Sequence, residues 1–295
     1  MPIDVSEPLF FLSSPVACVV VPSTGVAELD SVASLMARFT DGPNHADRRR
    51  IVVEALGRLD PAELRADAAR RTAEAVTSDR DPDLTDVSRR VILAVLASSM
   101  GFASVDAVVE AMLVFAGALA PRADRSPVAG VLVREAVAVV AELAPASEPV
   151  PQANQIAALF QAVDATAGLV TNALLRAAAV SSETSEIEGL LDVTLAQDPP
   201  VRHTRRLVTE RLDHNGVSID AGETVIVPLT AGGFAFGAGP HECPGQCAAR
   251  AIAAGIVESV LAAGGVSGAA LVYEDRWNLR IVDQQRLRQP TRPAG

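Results

Sequence analysis

The sequence predicts a mainly α-helical fold with small β-sheets, and three observations predict it. Segment after segment places apolar residues three and four apart, the spacing of one helix face. The chain is 49% hydrophobic but only 3% aromatic. Alanine, valine and leucine dominate, and small side chains let helices pack closely. One stretch, Val201–Leu229, breaks instead into short runs separated by turn residues. At 295 residues the chain can bury a substantial core. It reads as a single domain, 1–295, with an N-terminal strand region at 1–25 and a frayed tail at 288–295.

The elements follow in order. Val16–Val21 is short, largely β-branched and stopped by Pro22, so it reads as a strand. Helical spacing then fills Val26–Phe39, Asp47–Leu59, Pro61–Val76, Leu84–Ser99, Val105–Leu119 and Ser126–Leu143. Asp60-Pro61 and Ser104 are helix starts. Ala144–Gln152 holds Pro145, Pro149 and Pro151 and reads as a loop. Ala153–Ala179 is a long helix with few charges, and therefore buried on most sides. A further helix at Ser185–Leu195 ends at Asp198-Pro199-Pro200. Strands at Arg205–Thr209 and Thr224–Pro228 flank turns at Asn215-Gly216 and Ala221-Gly222. Gln246–Ala263 is a helix capped by Gly264-Gly265. Leu271–Val282 reads as strand.

Charge and cysteine usage exclude some functions. The net charge of −11 argues against nucleic acid, whose phosphates need Lys and Arg. Three cysteines do not make a disulfide framework. Cys18 lies in an apolar run, and Cys247 reads as a small residue packed under its helix. Met1 to Glu7 has no basic region, and no apolar run reaches spanning length without charge or proline. The expectation is a soluble, cytoplasmic protein that does not engage a membrane.

The chemistry concentrates in Phe236-Gly237-Ala238-Gly239-Pro240-His241-Glu242-Cys243-Pro244-Gly245. A glycine-rich loop delivers one cysteine to the start of an alanine-rich helix. Unpaired N–H groups and the helix dipole lower a thiol's pKa there, as a metal-bound thiolate requires. Pro244 suits the first helical position, and Gly245 lets a flat ligand approach the backbone. This loop resembles the F-x-x-G-x-x-x-C-x-G signature of the cytochrome P450 family, with Phe236, Gly239, Cys243 and Gly245 in place.

The resemblance implies a shortened cytochrome P450-like fold that binds heme b (iron protoporphyrin IX), with Cys243 as the axial iron ligand. His45 and Arg49 resemble the family's H-x-x-x-R helix, one turn apart, and would hold a heme propionate. They also read as a solvated basic face, since Arg48 and Arg50 flank them. Arg206 falls where the family places a propionate-binding arginine, with Arg205 the rival, because strand register decides which points inward. His241 would complete that set.

Gln161–Gly168 resembles the helix over the distal heme face. The family's acid matches at Asp164. Its threonine does not, because Ala165 holds that place and Thr166 comes one residue, about 100°, later. Asp164, with Thr166, would handle protons; Asp164 reads equally as a polar group closing a helix kink. The family's E-x-x-R is missing, with Val193 and Ala196 at its positions, and so is the meander before the cysteine loop. A buried charged pair without its partner segment would be costly, so apolar residues are the expected repair.

These features imply an atypical P450-type oxidoreductase acting on a small organic, secondary-metabolite-like substrate. Peroxide-driven oxidation, or a redox-neutral heme-dependent step, fits the losses better than ordinary monooxygenation. The implied partners are the substrate and either a redox partner or a carrier protein. The alternative is a non-catalytic heme- or ligand-binding module on the same fold.

Overall fold

The computed structural model describes residues 3–4, 6–79, 81–120, 123, 126–179, 186–230, 232–266 and 272–286. The tail expected at 288–295 lies outside them. Ten α-helices carry the described chain. The first two are α1 (Pro8–Ser13) and α2 (Ala27–Ser34). Then come α3 (Gly42–Leu56), α4 (Pro61–Ser78), α5 (Leu84–Ser99) and α6 (Val105–Leu119). The set is completed by α7 (Gly130–Leu143), α8 (Pro149–Ala179), α9 (Ile187–Gln197) and α10 (Gln246–Ala262).

The strands are β1 (Ile3–Asp4), β2 (Ala17–Val19), β3 (His203–Val208), β4 (Leu212–His214), β5 (Val217–Ile219) and β6 (Thr224–Pro228). Four form one sheet in the order β1-β6-β3-β2, with β1 parallel to β6 and the other pairs antiparallel. Strands β4 and β5 form a separate hairpin. Its turn puts Asn215 and Gly216 at φ 49° and 78°, the paired positive angles that a two-residue hairpin of this hand needs.

The main core lies among α4, α5, α6, α7, α8 and α10, around Leu93, Met112, Phe115, Leu159 and Ile256. A smaller core of Phe11, Leu12, Val208, Val225 and Val227 lies under the sheet. Helix α8 runs through the middle, and Ala157, Ala167, Val170 and Ala173 are fully enclosed. By length and hydropathy it could cross a membrane, but 67% of its most apolar window is buried inside the protein. That is the behaviour of a core helix.

The helices at 84–99 and 105–119 stand where the spacing placed them. Three regions differ. The loop expected at 144–152 ends early, because α8 already begins at Pro149. Prolines 149 and 151 fall in its first turn, where no backbone N–H has an intrahelical partner to lose. The strand expected at 271–282 is reduced to two isolated bridges, Val201–Leu279 and Tyr273–Val282. The N-terminal region contains α1, a single amphipathic turn and a half that seats Phe11 and Leu12 in the smaller core.

The segment 272–286 nonetheless binds tightly to the helices. Leu84 N–H donates to Gln285 O at 2.7 Å, and Thr85 Oγ1 donates to Val282 O at 3.0 Å. At Gly168 of α8 a β-carbon would stand 2.7 Å from Pro200 Cβ and 3.1 Å from Arg280 O. The backbone of this segment can therefore approach α8 only where α8 has no side chain.

Candidate active site

The cysteine loop is held from within. Cys243 N–H donates to Phe236 O at 2.8 Å, closing the turn, and Gly237 and Gly239 take φ 73° and 70°. At Gly239 a β-carbon would meet Leu12 O at 2.8 Å, so positive φ and close approach both require glycine there. At Gly245 a β-carbon would stand 3.4 Å from Leu56 Cδ1 and 4.0 Å from Cys243 Sγ. Its absence leaves the flank of the sulfur open. The backbone N–H of Gly245 acts on that sulfur to favour the thiolate.

Helix α3 brings the second group. It starts at Gly42, five residues before the apolar spacing suggested, so His45 and Arg49 both lie within it. His45 is 6% exposed. Its ring stacks on that of His241, with centroids 4.0 Å apart and planes 35° from parallel. His241 donates from Nε2 to Asp41 Oδ1 at 3.0 Å, while Asp41 Oδ2 accepts Val19 N–H at 2.9 Å. Asp41 thus joins β2, α3 and the cysteine loop through one carboxylate.

Strand β3 brings the third group. Pairing of Arg206 with Val19 on β2 and Val225 on β6 fixes the register. Arg206 points inward and is 5% exposed, whereas Arg205 points outward and lies over the Trp277 ring at 3.9 Å. Register decides between the two rivals in favour of Arg206.

The electrostatics of this cluster are one-sided. Arg38, in the 3-10 turn Ala37–Phe39, and Arg49 act electrostatically on the Cys243 sulfur, and Arg38 acts also on Arg206. Among the described residues none of the three arginines forms an ion pair with a carboxylate. Burial and the neighbouring Arg38 pull the Arg206 guanidinium down to about 10. Burial, then His45 and Arg206, pull the His241 imidazole down to about 4 against its hydrogen bond to Asp41. Burial and Arg49 also lower His45. Both shifts favour the neutral imidazole, which can still donate a hydrogen bond.

The thiol likewise departs from expectation. Burial raises the Cys243 pKa, and the Gly245 N–H, Arg38 and Arg49 offset only part of that rise. The polypeptide alone leaves the sulfur protonated, and a metal ion would displace the proton on binding. Among the described residues no group of three or more His, Cys, Asp or Glu side chains could hold a bare metal ion. A metal at Cys243 would need its remaining ligands from a cofactor. The residues fit heme b: one thiol with an open flank, and unpaired guanidiniums for two carboxylates.

The structure does not bring Asp164 to this cluster as a free carboxylate. Its Oδ1 accepts from Arg89 Nε at 2.8 Å and its Oδ2 pairs with Arg276 at 3.1 Å. Glu274, its side chain fully buried, pairs with the same two arginines at 2.6 and 2.9 Å. Arg276 also donates to Ala120 O. This balanced set ties α5, α8 and the end of α6 to the 272–286 segment. Helix α8 runs unbroken past Thr166, which is buried, so no bulge rotates that hydroxyl into the place held by Ala165.

Val193 and Ala196, expected as an apolar repair of a buried position, are both exposed, Val193 by 41%. Helix α9 docks instead through Leu190, Leu191 and Thr194, which are buried, and ion pairs add to this at the surface. Glu188 and Asp192 pair with Arg250 of α10 at 3.4 and 2.6 Å, and Glu188 also pairs with Arg65 of α4 at 3.0 Å. Cys247, expected beneath its helix, is exposed as well. Sequence reasoning missed Asp41 and Arg38. Asp41 precedes the H-x-x-x-R segment and could have been found as its helix-capping residue. No motif marks Arg38. A groove of about 450 Å³ between α4, α5 and α6, lined by Arg71, Glu74, Arg90 and Glu110, shares no residue with the cysteine cluster.

No family model and no curated protein matches the chain in sequence. Solved structures do match. The chain is similar to CalO2, at 17% identity and a TM-score of 0.78, over 96% of this chain and 89% of that one. It is similar to epothilone D-bound cytochrome P450epoK, at 17% identity and 0.75, over 97% and 91%. It is also similar to P450BioI in complex with an acyl carrier protein ligated to hexadec-9Z-enoic acid, at 16% and 0.72, over 95% and 89%. The chain has the cytochrome P450 fold, in a divergent form.

Proposed function

We propose that this protein is a heme-thiolate enzyme of the cytochrome P450 type. The observation that carries the reading is a loop-held cysteine in a P450-like fold, with His241 of that loop seated on His45 of the helix that also carries Arg49. Cys243 would ligate iron, and His45, Arg49, Arg206 and His241 would hold the propionates of heme b. Phe236, Gly239 and Gly245 would shape the loop against the porphyrin. When bound, heme supplies a redox-active iron that can oxidise or rearrange an apolar organic molecule.

The chain's own residues then set what is possible. Neutral His45 and His241 can donate hydrogen bonds to a carboxylate, and Arg49 and Arg206 add charge. Asp164 is engaged by Arg89 and Arg276, and Thr166 is turned away from the usual position. These two observations support peroxide-driven oxidation or a redox-neutral step over ordinary monooxygenation. Asp164 and Thr166 would then position α8, unless substrate binding frees the carboxylate for proton transfer. The same observations favour, as a second reading, a heme-binding module without turnover.

Similarity to a P450 bound to epothilone D supports a medium-sized, secondary-metabolite-like substrate for the enzyme. Similarity to one bound to a lipidated acyl carrier protein supports delivery on a carrier, with the protein in the cytoplasm. The test is the absorption spectrum of the reduced, carbon-monoxide-bound protein after loading with hemin. A thiolate-type red-shifted band that disappears in Cys243→Ser is expected. A wild-type chain that binds no hemin, or binds it without that band, would refute the reading. Turnover with hydrogen peroxide, present or absent, separates enzyme from binding module.

A further inference from the structure

Helices α4 and α6 each pack along α5 but scarcely against one another. The groove of about 450 Å³ lies between them, within the size range of small-molecule sites. Small side chains make the space. Ala75 of α4 and Ala94 of α5 stand where longer residues would fill it. Val91 of α5 and Val109 of α6, both buried, complete an apolar floor.

The walls are charged, and their charges are unevenly spent. Arg90 donates from Nε to Asp86 Oδ2 at 2.7 Å and pairs with Glu110 of α6. Arg71 donates from Nε to Asp67 Oδ2 at 2.9 Å. Both guanidiniums that line the groove are therefore already matched by carboxylates. Glu74, on the opposite wall from Glu110, pairs at 2.7 Å with Arg70, which does not line the groove. Asp106, in the first turn of α6, has no partner among the described residues. It lies one turn before Glu110 on the same helix face, so a single cationic group can answer both. An anion entering the groove meets no guanidinium that is free to receive it.

We propose that this groove is a second binding site, for an organic cation with an apolar body. The chemistry fits a primary amine whose ammonium meets Asp106 and Glu110 while its hydrocarbon lies on Val91, Ala94 and Val109. The charged rim is open to solvent, so each contact there adds little, and the apolar floor carries much of the affinity. The site stands apart from the cysteine cluster and does not depend on heme.

The test titrates the full chain with phenylbutylamine, phenylbutanol and phenylbutanoate by calorimetry. The three share a body and differ in head group. The heme-free protein is used, because an amine can also ligate heme iron. The amine binds roughly five- to tenfold more tightly than the alcohol, and the acid binds more weakly than either. Asp106→Asn weakens the amine about two- to fivefold and leaves the alcohol unchanged. Ala94→Met fills the floor and abolishes binding of both. Glu28→Gln removes an exposed carboxylate of α2, outside the groove, and changes nothing.

The proposal is overturned if the amine does not bind, or if the three head groups bind alike. It is also overturned if Glu28→Gln costs as much as Asp106→Asn, which would mean only diffuse attraction to an acidic protein. Wild-type affinity in a folded Ala94→Met chain would place the ligand elsewhere and has the same force. Should Ala94→Met fail to fold, the methyl resonances of Val91 and Val109 decide instead: the amine shifts them, and unmoved resonances overturn the proposal. Failure here leaves the heme reading standing, since the two sites share no residue.

Discussion

Two arginine clusters sit in this molecule, one enclosed and one partly open to solvent, and they are opposites. Around Asp164, among the described residues, two guanidiniums face two carboxylates within 3.1 Å. Near the cysteine loop, Arg49 of α3 and Arg206 of β3 form no ion pair among the described residues, and Asp41 is spent on His241 and Val19. The first cluster carries its own counter-charges. The second does not. A buried charge is tolerated when its counter-charges are fixed in place, so the balanced set reads as a rivet and the unbalanced set as a ligand site. The difference matters because the sequence pointed to Asp164 as catalytic, and the balance points away from it.

Removing a charge tests this in both directions. In the balanced set, Glu274→Gln leaves Arg89 and Arg276 short of one buried carboxylate and should cost about 3–5 kcal/mol of stability. Chemical denaturation of the heme-free protein measures it, and a loss too small to resolve would mean that the set is not structural.

The next effect is a pH dependence. The fold pulls His241 from 6.5 to about 4, mainly by burial. Between those values the unfolded chain takes up a proton that the folded chain refuses. Stability of the heme-free protein should therefore fall as pH drops from about 6.5 to 4, by up to about 3 kcal/mol, and this contribution levels off below. Melting curves of wild type and His241→Asn across that range decide the matter. Parallel curves would show that the ring is not protected from protonation, while a flatter variant curve is the expected result.

The smallest effect sharpens the comparison most. Arg206→Gln removes a buried charge that, among the described residues, no carboxylate pairs with. It loses hydrogen bonds to Thr204 Oγ1 and Arg205 O, but repulsion from Arg38 goes with them. Heme-free stability should stay within about 1 kcal/mol of wild type. The stabilisation gained on adding hemin should shrink instead, since ligand binding stabilises the folded state by mass action. Destabilisation as large as that of Glu274→Gln would erase the distinction between the clusters.

Much of the molecule was legible in sequence because its causes are local. Helices α5 and α6 follow apolar spacing alone. The cysteine loop is local too: glycines 237 and 239 bear positive φ and Cys243 bonds Phe236 seven residues back, all inside one readable segment. The early start of α8 was hidden because proline signals both a loop and a helix's first turn. The apolar repair at Val193 and Ala196 was misjudged because burial at those positions was assumed, whereas α9 buries its opposite face through Leu190, Leu191 and Thr194.

The sequence by itself singled out Cys243 as the candidate metal ligand, and the helix carrying His45 and Arg49 and the strand carrying Arg206 as its candidate frame. Tertiary structure decided how charge is shared. Arg89 reaches Asp164 across 75 residues and Glu274 across 185, while Arg206, among the described residues, bonds only Thr204 and a backbone carbonyl. Whether a guanidinium is satisfied or waiting depends on partners far away in the chain, and pairing energies between such residues leave no periodic trace along it.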